Sequence, residues 1–168
     1  MPKIYLCSFA TDDFKNAQEV LNTSALLVGQ VDHVVDWNPE KIKPFIDLNK
    51  NLFYDKSGNK TRGFGFWSWQ PLITLKTMEM ADDGDIIIYM DSAINIIHSL
   101  EPLIKLCIEK ETLLFYLGEH TQKDYRNKVW CKKDTYNVMK FDSEKDFIQL
   151  TASVQSHPVS NKSTIEWC

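Results

Sequence analysis

A chain of 168 residues that is 43% hydrophobic and 25% charged has the length for one hydrophobic core burying about 70% of the surface its unfolded chain exposes. This composition argues against a disordered chain, and no apolar run approaches the length of a membrane span. A formal net charge of −4, with scattered basic residues and only Lys132-Lys133 adjacent, argues against a general nucleic-acid binder.

Lys3 to Phe9 reads as a first strand, after which Thr11 or Asp12 caps a helix whose buried face is Phe14, Ala17, Val20, Leu21 and Ala25. No apolar leader precedes that strand. Cys7, Cys107, Cys131 and Cys168 show no C-x-x-C spacing. They read as free thiols of a reducing compartment, so the expected localisation is cytoplasmic. His33 to Trp37 forms a second strand, and Pro39 opens a helix through Ile42, Phe45, Ile46 and Leu48. Tyr54 to Lys60 is a polar loop with a turn at Ser57-Gly58.

The most distinctive stretch runs from Arg62 to Asp91. An aromatic and glycine cluster, Arg62 to Pro71, leads into a helix with Leu72, Leu75, Met78 and Ala81 at helical spacing. Gly84-Asp85 breaks that helix. Ile86 to Met90 is then an apolar run without alternation, as expected of a strand buried on both faces of a mostly parallel sheet. It ends in Asp91, at the strand end where open α/β sheets bind ligands.

Pro102 stands in the first turn of a helix through Leu103, Ile104 and Cys107, and Leu113 to Leu117 reads as another buried strand. It leads to the polar group Gly118-Glu119-His120-Thr121. Lys132 to Met139 is a further helix, Asp142 and Ser143 start a short one, and Leu150 to Val154 reads as a late strand with Pro158 as a breaker.

The individual residues leave alternatives open. Asp36 ends an apolar run and either caps the next turn or meets a ribose or base. Arg62 is either a surface arginine or a bidentate phosphate contact. Trp67 and Trp69, two apart, share a side of an extended segment, either as core or as a stacking wall. Gly63 and Gly65 permit close packing but do not make a phosphate loop. Asp134 and Asp142 are either helix caps or general bases.

The string GFGFWSWQP, a helix, and then GDIIIYMDSA resembles the nucleotide-sugar-binding half of small GT-A-fold glycosyltransferases, including those encoded by large algal viruses. The resemblance covers Lys3 to about Phe147. It implies a single domain with a three-layer α/β/α sandwich on a mostly parallel sheet, in which residues 1–120 bind the nucleotide sugar and 121–168 face the acceptor. It implies transfer from a nucleoside-diphosphate sugar, UDP-sugar favoured, to a glycan or glycoconjugate hydroxyl. On it, Phe9, Ala10 and Thr11 hold base and ribose, and Asp91 holds Mn²⁺ or Mg²⁺ with Ser92 beside it. The family's Asp-x-Asp is here Asp91-Ser92-Ala93, so the second acid is missing and metal binding is weakened or completed by a distant residue such as His157 or Asp142. A Lys-x-Asp and Met-containing helix beside the family's acceptor pocket makes Asp134 the preferred base, ahead of Asp142. The competing readings are a non-catalytic GT-A-like binding domain and a nucleotidyltransferase, the latter disfavoured by the lack of a glycine-rich basic N-terminal loop.

Overall fold

The computed structural model describes residues 2–116, 126, 129, 133–138, 140 and 150–159. These fall in two compact units, one of residues 2–113 with 155–159 and one within residues 114–154. The elements of the first unit begin with β1 (Ile4–Phe9), a 3-10 turn (Asp12–Phe14), α1 (Lys15–Ser24) and a π-turn (Ala25–Gly29). There follow β2 (His33–Trp37), α2 (Lys43–Leu48), α3 (Lys50–Phe53), α4 (Gly63–Phe66), α5 (Trp69–Met78), β3 (Ile86–Met90) and α6 (Glu101–Lys110). β4 (Leu113–Tyr116), α7 (Lys133–Val138) and β5 (Leu150–Pro158) complete the described chain.

The strand order is β2-β1-β3-β5-β4 in an open sheet. β1 is parallel to both neighbours, with Cys7 opposite Val35 on one side and Tyr89 on the other. The five-stranded sheet as a whole is mixed, which corrects the expectation of a mostly parallel one. The physical reason lies in β5. It takes the place beside β3 that a simple β-α-β crossover would give to β4, and it does so with buried Gln155, Ser156 and His157. β4 is also less buried than its apolar sequence suggests, with Leu114 and Phe115 exposed.

β1 and β3 are buried along their whole length, so successive side chains feed opposite faces. Tyr5, Cys7, Phe9, Ile87 and Tyr89 join Trp37, Ile42, Ile46, Phe53, Phe64, Trp69, Ile73 and Met78 in one core cluster. On the other face, Gln18 of α1 donates to Ser8 Oγ (3.0 Å) and to the Trp37 carbonyl (3.2 Å). Helices therefore cover β1 on both faces. The start of β1 is tied down by carboxylates: Asp85 accepts from Lys3 N and Asp32 from Ile4 N, each at 2.8 Å.

Several helical faces differ from the apolar reading. In α1 the buried residues are Gln18, Leu21 and Ser24, while Phe14 and Val20 are exposed. Thr11 occupies the cap position of the 3-10 turn, but its side chain makes no capping hydrogen bond. In α5 the buried face is Trp69, Ile73, Thr74, Thr77 and Met78. Thr77 belongs there because Oγ1 donates to the Ile73 carbonyl (2.7 Å) and accepts from Trp37 Nε1 (2.9 Å). Cys7 and Cys107 are buried and free, as expected, and burial pushes the Cys7 thiol up to about 12. Among the described residues no helix is long and apolar enough to cross a membrane.

His157 gives this packing a pH dependence. Burial lowers its pKa from 6.5 to about 4, so the folded chain holds it neutral where the unfolded chain takes up a proton. Its stabilising contribution is complete above pH 6.5 and is lost as the pH falls toward about 4. At ~1.4 kcal/mol per unit the loss amounts to about 3 kcal/mol. Urea midpoints should fall across that window, and His157→Gln should flatten the fall between pH 6.5 and about 5 relative to the wild type.

Candidate functional site

Parallel pairing of β1 with β3 brings their C-terminal ends to one edge, and a cavity of about 420 Å³ opens there. Its wall comes from four stretches. The end of β1 and the following turn give Phe9, Thr11, Asp13 and Phe14, and the loop before α4 gives Lys60 and Thr61. The glycine and aromatic cluster contributes Gly63, Phe64, Trp67 and Trp69, and the end of β3 contributes Asp91, Ser92 and Ala93.

The floor is aromatic. Phe9 stacks on Trp69 with centroids 4.2 Å apart and lies 6.3 Å from Phe64, which meets Phe53 edge-on at 5.1 Å. Trp69 Nε1–H donates to the Gly63 carbonyl (3.1 Å), which satisfies its polar edge. Trp67 and Trp69 do not share a side of an extended segment, because the chain between them turns. Trp69 is 6% exposed and Trp67 46% exposed.

That turn has an unusual backbone. Gly63, Phe64, Gly65, Phe66 and Trp67 all have positive φ, at 59°, 44°, 91°, 53° and 59°. Phe66 N–H donates to the Arg62 carbonyl (2.9 Å) and Trp67 N–H to that of Gly63 (3.3 Å), so the segment closes a left-handed turn. The two glycines are required for contact as well as for φ. A Cβ on Gly63 would lie 2.5 Å from the Trp67 ring, and one on Gly65 would lie 2.5 Å from the Phe53 ring. Thr61 ties the turn to the preceding loop, its Oγ1 donating to the Leu52 carbonyl (2.6 Å) and accepting from Gly65 N–H (2.9 Å).

Asp91 is half-buried at the end of β3, and Tyr89 Oη–H donates to its Oδ1 at 2.6 Å. Burial first, and then the Asp91 charge, push the Tyr89 phenol far above its ordinary range, so it stays a donor. No hydrogen bond to Oδ2 is made by the described residues, which leaves that oxygen for a ligand. Asp13 is a second carboxylate on the cavity wall. Mg²⁺ and Mn²⁺ take hard oxygen donors, commonly one or two carboxylates completed by phosphate oxygens and water. The set Asp91, Asp13, Thr11 and Ser92 has that chemistry. Among the described residues no three His, Cys, Asp or Glu side chains converge into an all-protein metal site.

Six residues singled out in the sequence therefore line one cavity: Phe9, Thr11, Trp67, Trp69, Asp91 and Ser92. Three others stand off it. Ala10 is buried with its N–H on the Trp37 carbonyl, and Asp36 is exposed in an ion pair with Lys41 at 2.6 Å. The Arg62 guanidinium sits 5.4 Å from the Trp67 ring centroid rather than on the cavity wall. Asp134 is exposed on α7, in the second unit, Asp142 lies outside the described residues, and His157 is buried in β5. Lys60 and Asp13 were missed, because a lysine closing a polar loop and an acid in a helix-start context carry no motif. Neither a protein-family model nor a curated protein matches this chain.

The left-handed turn predicts a contrast between two glycines of similar φ. Gly65→Ala forces a Cβ into the Phe53 ring and should cost roughly 3 kcal/mol. Gly58, at φ 82° with open space around it, should cost only about 1 kcal/mol as Gly58→Ala. Urea denaturation of both variants checks this, and equal losses would sink the packing account.

Proposed function

We propose that this chain is a glycosyltransferase that moves a sugar from a nucleoside-diphosphate sugar, UDP-sugar favoured, to a hydroxyl of a glycan or glycoconjugate. The observation that carries the reading is the Asp91 carboxylate. It stands at the end of a buried parallel strand, oriented by Tyr89, and faces a cavity floored by stacked Phe9 and Trp69. The GT-A-like arrangement named from the sequence is part of the same proposal.

Each cavity residue has work to do in such a transfer. The Phe9 and Trp69 rings offer an apolar surface on which a base or the apolar face of a sugar stacks. Thr11 and Ser92 present polar groups to ribose or sugar hydroxyls. Asp91, with Asp13, Thr11 and Ser92 as neighbouring oxygen donors, would hold Mg²⁺ or Mn²⁺. When bound, the ion offsets charge on the diphosphate leaving group. The acceptor oxygen attacks the anomeric carbon as the bond from that carbon to the diphosphate breaks. In an inverting transfer the acceptor proton goes to a carboxylate base, the role the sequence assigned to Asp134 or Asp142.

A second reading, a GT-A-like domain that binds a nucleotide or glycan without turnover, is favoured by one feature. Exposed Ala93 stands at the cavity where a second acid would be.

The two readings separate in one experiment. Thermal midpoints measured with uridine, guanosine, thymidine and cytidine diphosphate sugars, with and without Mn²⁺, should rise selectively and in a metal-dependent way for one of them. Slow hydrolysis of the same compound should accompany the shift, whereas the binding-domain reading gives the shift alone. Asp91→Asn should abolish the metal-dependent part and reduce hydrolysis by about 100-fold or more. Unchanged affinity and hydrolysis in that variant would remove Asp91 from the site.

A further inference from the structure

Among the described residues that line the cavity, Lys60 is the one cation. Its position is fixed by the loop that carries it. Tyr54 and Lys60 form an antiparallel bridge, and Asp55 Oδ1 accepts from the Ser57 and Asn59 N–H groups within it. On the other side, Thr61 N–H donates to the Phe53 carbonyl and Thr61 Oγ1 to that of Leu52. The Lys60 Nζ stands 5.8 Å from the centroid of the Phe64 ring. That contact is worth about 0.5–1 kcal/mol at an exposed site and holds the ammonium near the wall without using its N–H donors. Lysines 3, 41, 43, 105 and 110 are paired with carboxylates, whereas no carboxylate of the described residues pairs with Lys60.

The charge pattern gives this cation a purpose. Asp13 and Asp91 make the cavity hostile to an anion unless a positive group faces it. We infer that Lys60 is the side chain that meets the phosphate oxygens of the donor, while Arg62, stacked on Trp67, braces that exposed indole instead. The identity of the phosphate ligand as a nucleoside diphosphate rests on the function proposed above. The assignment of the charge to Lys60 rests on the cavity itself.

Titration calorimetry with UDP, GDP, TDP and CDP, each paired with its nucleoside, tests both levels separately. In the wild type one diphosphate should bind more tightly than its nucleoside. Lys60→Met keeps an unbranched stem beside Phe64 but removes the charge, and should weaken the diphosphate by about 10-fold, the effect of one charge-assisted hydrogen bond, with nucleoside affinity unchanged. Lys60→Arg should recover most of the loss, and Arg62→Met should leave diphosphate affinity within about 2-fold. Wild-type protein that binds no nucleoside diphosphate overturns the proposed function and this inference with it. Wild-type binding that survives Lys60→Met unchanged, falls equally for diphosphate and nucleoside, or is lost in Arg62→Met overturns the assignment of Lys60 alone. Thermal midpoints of the unliganded variants identify any that fail to fold.

Discussion

The structure around the cavity depends on how one face of β1 and β3 is covered. Phe9, Ile87 and Tyr89 present a large apolar surface at the end of the sheet, and the segment from Phe64 to Trp69 closes over it. To place both Phe64 and Trp69 against Phe9 within six residues, the chain reverses through a left-handed turn. Three of its residues, Phe64, Phe66 and Trp67, are not glycine, and left-handed backbone costs each about 1–2 kcal/mol. Burying the Phe64 and Trp69 rings returns about 1.5–3 kcal/mol each, with ring stacking adding about 0.5–1.5 kcal/mol. The two sides nearly balance, so the turn holds only while its aromatic seat is filled. Strain of this kind persists where the surroundings over-determine it, and it collects at sites that bind ligands.

The same packing sets the electrostatics of Asp91. Tyr89 is buried beneath the strand end, and its phenol has Asp91 for a partner at 2.6 Å. Because burial and the neighbouring charge both oppose ionisation of the phenol, the proton stays between them on the tyrosine oxygen. One carboxylate oxygen is thereby committed to the protein, and the other takes no hydrogen bond from the described residues. A carboxylate fixed in this way loses little freedom when it meets a ligand.

Much of this was legible in the sequence, for physical reasons that also explain the misses. β3 is a continuous apolar run and β1 is apolar but for Ser8, a composition that suits strands buried on both faces, so their place and the position of Asp91 at the strand end could be read directly. The helix after Trp69 was found, and of its expected face Met78 is buried while Leu72 and Ala81 pack against the core, but Thr74 and Thr77 were missed, because they become core residues only once their hydroxyls bond to the helix carbonyls and to Trp37. β5 was read too short and its neighbours were not foreseen. A segment containing Gln155, Ser156 and His157 does not look like the strand beside β3, because a central buried strand is expected to be apolar, yet all three are buried there. At the site, strand ends were easier to read than loops. Arg62 looked like the phosphate group because of its chemistry, yet the aromatic wall captures it, and Lys60 two residues earlier reaches the cavity.

The Asp-x-Asp signature that the sequence was read against would put a second acid at position 93, where this chain has alanine. Where two carboxylates come from one Asp-x-Asp stretch, both depend on a single strand end, and alanine at the third position removes one of them. In this sheet β1 and β3 run parallel side by side, so the turn after β1 reaches the same edge as the end of β3. Asp13, four residues beyond Phe9, arrives on the cavity wall by that route. The cavity therefore keeps two carboxylates although position 93 has none, and they come from separate elements whose spacing the sheet fixes. Parallel neighbours make this arrangement available: two adjacent strand ends each bring a carboxylate to one edge without altering the strand pairing that holds the site.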